Sequence, residues 1–569
     1  MEIKTDPHLR RPALIGEAFQ PDQAQHPPPL AKIDPKILST LQAHLTDSSA
    51  HQAITEKDLS FFRDLVNECV EKLDVFHEKK LIPQMCGQHY SSLGRNADGT
   101  VRRGFYDHSR TQHMQDTAEY ALQFSLLGGF NFRQTLVCTL TALFHDIGHT
   151  AFAHSGEAVI WAGGFRKFHH DPNTVVRASQ PEVKDFLVDL VGKEIYRDFI
   201  ACLAGPPYLA DLEKIKEMQR ELKAFGLSHE IAVSFEEAKE GIENRALVNA
   251  WGEYHRLVQD LIDIIAYEIR DHMHTELSDD KKAKVEENAR EFFKSMRMNS
   301  DGRLSLTNPE AGRKLFAGLA NKYQFRACSP ISALVNRFIF RAMRRAEIPV
   351  QQIIPACDPA VVLQLSQADR DFLLTGVDRH YSIECALLPK RRLGNPLYLS
   401  DQVLTPKVID EIVSAIQTEI EAAQANGKLA TTREILACNT PYLAKSFEFV
   451  LEGEAIEDAR KEIAARGANI LQHLNKPKHR DTDFFALTSE LRQLSGEHGP
   501  VYQLSYRLQA QQYLVLAIKN PESGQTDLPN NEIMAKVREI AQKVINDRGL
   551  ADYFEFDSVP EDGFIQEDL

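Results

Sequence analysis

The run ALFHDIGHTAFAHSGE, residues 142–157, sets His145 beside Asp146 in apolar surroundings and follows them with His149 and His154. An ionised aspartate buried beside a histidine costs several kcal/mol unless a partner neutralises it. A divalent cation is such a partner, and imidazole nitrogen with carboxylate oxygen suits Mn, Mg, Fe or Zn. Histidine is concentrated in this part of the chain: His108, His113, His145, His149, His154, His169 and His170 are seven of the 21. It is the commonest metal ligand and an acid–base group at neutral pH. Two ligands do not make a site, so others must converge from elsewhere. His113, in SRTQHMQDTAEYAL, is one candidate. Asp263, in DLIDIIAYEIRD, interrupts an apolar run and is another. Asp263, Tyr267 and Asp271 follow at i, i+4 and i+8, along one helical face.

The elements that must position these residues read as helices. Periodicity is helical from about 36 to 80. Residues 86–108, rich in Gly, Ser and Asn with the turn signal NADG, read as a loop or hairpin. HMQDTAEYALQFSLL and RQTLVCTLTALFHDIG place apolar residues at three- and four-residue intervals. Their antiparallel pairing brings His113 near His145, with His149 one turn beyond His145 on the same face. More helices follow to about 345. The last 190 residues differ: VYQLSYRL and QQYLVLAIKN read as strands, NEIMAKVREIAQKVINDRG as a helix and YFEFDSV as a further strand. The expected organisation is a polar, Pro-rich arm over 1–35, a helical domain over 36–379 and a smaller α+β region over 380–569. The fold class is therefore mainly α with a C-terminal α+β part. The tail from Ala551 is acidic and reads as a solvated end.

The 569 residues exceed one compact core. With 43% hydrophobic and 26% charged residues the chain is globular. No run of 18 apolar residues argues for a membrane span, and the N-terminus lacks the apolar core of a secretory signal. Eight scattered cysteines without a CxxC pair fit reduced thiols in a cytoplasmic protein. The net charge of −15 argues against general nucleic-acid coating, though a local basic pocket can still take a small anion. Arg102–Arg103, Arg344–Arg345 and Lys390–Arg391–Arg392 read as solvated features. Phosphate funnelling is the alternative for the first, and a regulatory nucleotide or single strand for the other two; nothing in the sequence indicates a single-stranded partner directly.

His113, then His145–Asp146, then Asp263 resembles the H…HD…D metal signature of the HD-domain phosphohydrolases. HDIGHTAFAHSGE is similar to the HDxGHxxFxHxGE pattern of the deoxynucleoside triphosphate triphosphohydrolases, the dGTPase-like group. SRTQH resembles that group's R-x-x-H segment, GGFRKFHHD its glycine–phenylalanine segment with a following histidine, and DIIAYEIRD its D-x3-Y-x3-D segment. The resemblance covers about residues 84–345 in four ordered blocks.

The resemblance implies an HD-type enzyme that hydrolyses dGTP or several dNTPs to deoxynucleoside and triphosphate. It implies one divalent metal ion per site, held by His113, His145, Asp146 and Asp263. His149 and His154 resemble phosphate-contacting and acid–base histidines, and His170, or its neighbour His169, a further active-site histidine. Arg110 matches an arginine that contacts phosphate. Tyr267 and Asp271 resemble residues that contact the sugar. Lys322, with Tyr323 and Arg326, falls in a later phosphate-contacting stretch, and Gln84 or Gln88 matches a glutamine facing base or sugar. A homo-oligomer and a nucleotide activator are further expectations of the resemblance. DPNTVVR after GGFRKFHH departs from the group's asparagine-containing continuation, which bears on base recognition. The competing readings are an HD phosphohydrolase of another nucleotide class, such as a nucleoside monophosphate or cyclic nucleotide, and a non-catalytic nucleotide-sensing assembly protein.

Overall fold

The computed structural model describes residues 35–46, 52–78, 88–95, 101–107, 110–165, 168–205, a few positions between 216 and 223, 251–266, 279–299, 303–322, 330–354, 358–375, 377–389, 406–440, 443–474, 485–496, 499–510, 514–521 and 528–557. Tyr267, Asp271, Gln84, Tyr323 and Arg326 lie outside the described residues, as do the N-terminal arm and the chain beyond 557. Lys322 ends a described helix and Gln88 starts a described strand, but their side chains are outside what is described.

The first half is a helical assembly, as the periodicity predicts. Helix α1 spans Pro35–Thr46 and α2 spans Glu56–Glu78. In α2, Phe62, Leu65, Val66, Cys69, Leu73 and Phe76 recur at three- and four-residue steps and are all buried. A two-stranded hairpin follows, β1 (Gln88–Arg95) against β2 (Val101–Asp107), where the NADG turn signal falls. Helices α3 (Arg110–Gly128) and α4 (Phe132–Phe144) are packed side by side. The turn between them uses Gly129 at φ 71°. Asn131 starts α4 with a reciprocal capping box: its side chain accepts from Gln134 N–H, and the Gln134 side chain accepts from Asn131 N–H, both at 2.9 Å. From Leu136 onward α4 is buried on every side, Thr139 and Thr141 included, so it is the central rod of the domain. Around it lie α5 (Ala153–Ala162), α6 (His170–Ala178), α7 (Pro181–Val191) and α8 (Lys193–Ala204).

After a helical turn over 251–255, the chain runs as a π-helix over Arg256–Ile262. Helix α9 (Asp279–Ser295) leads into a short hairpin, β3 (Met296–Met298) and β4 (Leu304–Leu306), before α10 (Pro309–Lys322), α11 (Pro330–Arg345) and α12 (Gln367–Thr375). No helix among the described residues is long and apolar enough to cross a membrane.

The C-terminal part is α+β, as expected, with more strands than the sequence reading finds. It adds β5 (Tyr381–Pro389), α13 (Pro406–Ala425), β6 (Ile435–Asn439), β7 (Leu443–Leu451), α14 (Glu454–Leu474), β8 (Phe485–Gly496), β9 (Gly499–Ala510), β10 (Leu514–Lys519), α15 (Asn530–Asp547) and β11 (Phe554–Asp557). Two sheets result. One is antiparallel in the order β11-β5-β10-β6. With α13 between β5 and β6 and α15 between β10 and β11, this is a split βαβ arrangement. Ile412, Ile416, Ile420, Leu516, Ile533 and Val537 form its own core. Its other face, through Leu436, Cys438, Val515 and Ala517, joins the main core against α11.

The second sheet has the order β3-β4-β7-β9-β8. It therefore takes its first two strands from the helical half and the rest from an insertion between β6 and β10, with β4 meeting β7 in parallel at Ser305 and Val450. Tyr506 fixes it to α10: its hydroxyl donates to the Pro309 carbonyl at 2.6 Å, and its ring packs on Phe316 and Phe449.

Candidate metal centre and adjoining histidine cluster

Helix α4 ends at Phe144, with His145 as its C-cap and residues 145–148 in a turn. The expectation that His149 lies one helical turn beyond His145 is therefore corrected: HDIGH is a turn, not a helix. Gly148 gives the reason. A Cβ there would stand 2.3 Å from Thr174 N and 2.4 Å from His170 O, so the first turn of α6 presses on this backbone. In return α6 satisfies it: Gly148 N–H donates to Thr174 Oγ1 at 3.1 Å, Asn173 Nδ2 donates to Gly148 O at 2.7 Å, and Thr174 Oγ1 donates to His145 O at 2.9 Å. The turn aims His145 and Asp146 at α3, and brings His149 against His170.

Three segments now converge. His113 of α3 puts Nε2 2.8 Å from Asp263 Oδ1 and 3.3 Å from His145 Nε2. His145 Nε2 is 3.2 Å from the same Asp263 oxygen. Asp146 stands 3.4 Å from His145 Nε2 and 3.5 Å from His113 Nε2. Arg110, at the first residue of α3, pairs with Asp146. His113, His145, Asp146 and Arg110 are all buried, and Asp263 is nearly so. Asp263 caps the π-helix, its N–H bonding to Val258 O five residues back.

These spacings suit a cation. Ligand atoms held at about 2.0–2.2 Å from one ion lie about 2.8–3.6 Å from one another in octahedral or tetrahedral geometry, and the distances among His113, His145 and Asp263 match. The electrostatics agree. Burial alone would lower His145, but Asp146 and Asp263 outweigh it and push it up to about 9. Asp146 and Asp263 resist burial and stay below the usual carboxylate range, Asp146 through His145, Arg110 and His149, and Asp263 through His113 and His145. Burial lowers His113, so it favours the neutral, ligating form. Two carboxylates thus demand positive charge between two ring nitrogens, and a proton or a cation supplies it. His145 Nδ1 meets the Ala142 carbonyl at 2.7 Å, a pure acceptor, which directs Nε2 into the cluster. His113, His145 and Asp263 could hold a metal ion, with Asp146 beside them.

A second cluster adjoins the first through His149, whose Nε2 is 3.4 Å from Asp146. The His149 ring stacks on His170 at 3.9 Å, and His154 sits 4.9 Å from His170. Beneath them lies Glu157, 1% exposed. One Glu157 oxygen accepts from His170 N–H and faces His170 Nδ1, both at 2.8 Å; the other faces His154 Nδ1 at 3.1 Å. Asp171 closes the chain at 2.9 Å from His170 Nε2. Burial opposes it, yet Asp171 and Glu157 hold His170 well above the ordinary histidine value. Burial, the charged His170 and Arg110 hold His149 well below it. His149 Nδ1 is buried without a hydrogen-bond partner among the described residues. His154 is largely solvent-exposed. It follows a strained turn in which Phe152 (φ 58°) and Ala153 (φ 45°) are both left-handed.

The expected metal residues and Arg110 therefore come together, and His149, His154 and His170 form a connected neighbour. His170 holds Glu157, whereas His169 stacks on its outer side at 4.5 Å. Arg110 is engaged by Asp146. Glu157 and Asp171, which link these histidines, are the residues of the cluster that sequence reasoning misses, although Glu157 closes the run HDIGHTAFAHSGE. Among known proteins, no family model and no curated sequence matches the chain.

Proposed function

We propose that the chain is a metal-dependent HD-type phosphohydrolase that converts deoxynucleoside triphosphates to deoxynucleoside and triphosphate. The observation that carries this reading is the convergence of His113, His145 and Asp263 at ligand spacing, with Asp146 adjoining, beside a carboxylate-linked histidine cluster. A bound divalent cation would draw off phosphoryl charge and acidify a water. The chain's own residues divide the remaining work. Arg110 brings a forked cation next to Asp146, where phosphoryl oxygens would meet it. Glu157 orients His154 through Nδ1, leaving Nε2 to face solvent as a proton donor to a departing alkoxide. His170, gripped by Glu157 and Asp171, keeps a positive charge against the neutral His149. The dNTP preference itself rests on the resemblance of HDIGHTAFAHSGE.

The test is incubation of purified protein with Mn²⁺ or Mg²⁺ and each of the four dNTPs, alone and mixed, with products read by ³¹P NMR. Tripolyphosphate supports the reading. Orthophosphate or pyrophosphate alone, or turnover confined to monophosphates or cyclic nucleotides, overturns it in favour of another HD hydrolase.

A further inference from the structure

We propose that Glu253 is a positioning residue of the metal centre, tying the start of the π-helix to the five-stranded sheet so that the far end aims Asp263 at His113 and His145. This rests on the reading of that cluster as a cation site. It adds an anchor outside the cluster, on the opposite side of the element.

The angular argument starts from the helix type. Arg256 and Asp263 are seven residues apart. At about 100° per residue an α-helix would turn through about 700° between them and leave both on one face, about 20° apart. A π-helix, with about 4.4 residues per turn, turns through about 575° and places them about 145° apart. The contacts fit the second arrangement. Arg256 Nη1 reaches Glu448 Oε2 of β7 at 3.6 Å, while Asp263 meets His113 of α3 and His145 at the end of α4. The π-helix is packed against both sides.

Glu253 holds the near end. It is 7% exposed, one oxygen accepts from Leu304 N–H of β4 at 3.0 Å, and the other pairs with Arg256. Two bonds to the end of α8 fix the same segment: His255 Nδ1 lies 2.7 Å from Cys202 O, and Gln259 Nε2 donates to Leu203 O at 3.3 Å. Gly205 has φ 78°, and a Cβ there would lie 2.6 Å from the His255 ring. With its near end clamped, the π-helix has one rotational setting, and Asp263 inherits it.

The test is Co²⁺ titration of the full chain, read by calorimetry and by the visible absorption of the bound ion. Glu253→Ala should weaken binding about tenfold or more and shift the absorption bands, the range seen for groups that orient metal ligands. Glu253→Gln keeps an acceptor for Leu304 N–H and should recover most of the affinity. Arg256→Ala, a partly exposed site, carries the test if Glu253→Ala does not fold, with a smaller loss and the same spectral shift. Ile533→Ala, in the separate C-terminal core, controls for general destabilisation. Affinity within twofold of wild type with unchanged bands, or a loss no larger than that of Ile533→Ala, overturns the proposal. Absence of Co²⁺ binding by the wild-type chain overturns the cation reading instead.

Discussion

Two charge networks in this molecule can be set side by side. The first gathers Arg110, His113, His145, Asp146 and Asp263 inside the helical core. The second lies where α11 meets the C-terminal split βαβ module. There Arg345 reaches Asp369 at 2.5 Å and Glu434 at 2.8 Å, Arg341 reaches Glu421 at 2.7 Å and Glu434 at 3.2 Å, and Tyr381 donates its hydroxyl to Glu434 at 2.6 Å. Both bring partners from distant segments, yet their chemistry differs. Guanidinium forks fill the space between the outer carboxylates with fixed charge that no neutral pH removes. In the core, histidines face carboxylates, so the positive charge is exchangeable between proton and cation. Histidines facing carboxylates mark the candidate site, to which Arg110 adds one fixed charge, whereas arginines alone mark the joint.

The strongest way to break this comparison is Asp146→Ala. It removes a proposed ligand and leaves Arg110 buried without its carboxylate. Cation-dependent turnover should fall more than about 100-fold, and unfolding free energy should fall about 3–5 kcal/mol, as for a buried pair that loses one member. Phosphate release and urea denaturation measure the two. A folded variant of wild-type stability that still binds Co²⁺ tightly would mean the core network is another joint.

Glu157→Gln sharpens the comparison next to the candidate metal centre, since Glu157 bonds His154 and His170 and not the proposed ligands. Turnover should drop about 10²- to 10⁴-fold, the range for a group that orders acid–base catalysis, with Co²⁺ affinity little changed. Burial works against Glu157, but His154 and His170 hold it well below 4.5, the ordinary glutamate value. A depressed folded-state pKa gives stability that is complete above the unfolded value and is lost as pH falls. Wild type should therefore lose its stability advantage over Glu157→Gln as melts are taken from pH 6 down past about 4.5. A difference independent of pH would show that the carboxylate is not ionised in the fold.

The legibility of the two networks differs for a physical reason. His113, His145, Asp146 and Asp263 were readable because ionisable residues inside apolar runs are costly and need a common explanation. The break after Phe144 was not, because it comes from α6 pressing on Gly148, a contact 22 or more residues away in sequence. Glu157 was overlooked because its importance lies in partners from two helices. The doublet Arg344–Arg345 reads as a solvated feature, and both residues are exposed; that Arg345 also bridges Asp369 and Glu434 is what a local pattern cannot show. Strand β6, ILACN, has four consecutive buried residues and so lacks the alternation that marks a half-exposed strand. The pairing of β4 with β7 joins residues far apart in the chain and leaves no local trace.

A smaller effect is expected at Ala153, whose left-handed backbone positions His154. Ala153→Gly should raise unfolding free energy by about 1 kcal/mol through relief of that strain. Turnover should fall at the same time if the strained turn serves the exposed histidine. Greater stability with unchanged turnover would separate the strain from function.

The smallest effect belongs to the joint. Arg345 is 39% exposed, and Glu434 24%, so water and salt screen the pair, while Arg341 continues to hold Glu434. Arg345→Ala should cost about 0.5–1 kcal/mol in low salt and less at 1 M, where the Debye length falls to about 3 Å. Cation affinity and turnover should stay within twofold, since the Arg345 charge is spent on Asp369 and Glu434. A large loss of Co²⁺ affinity in Arg345→Ala would show that the module transmits its docking to the core, and arginine would then mark a coupling element as well as a joint.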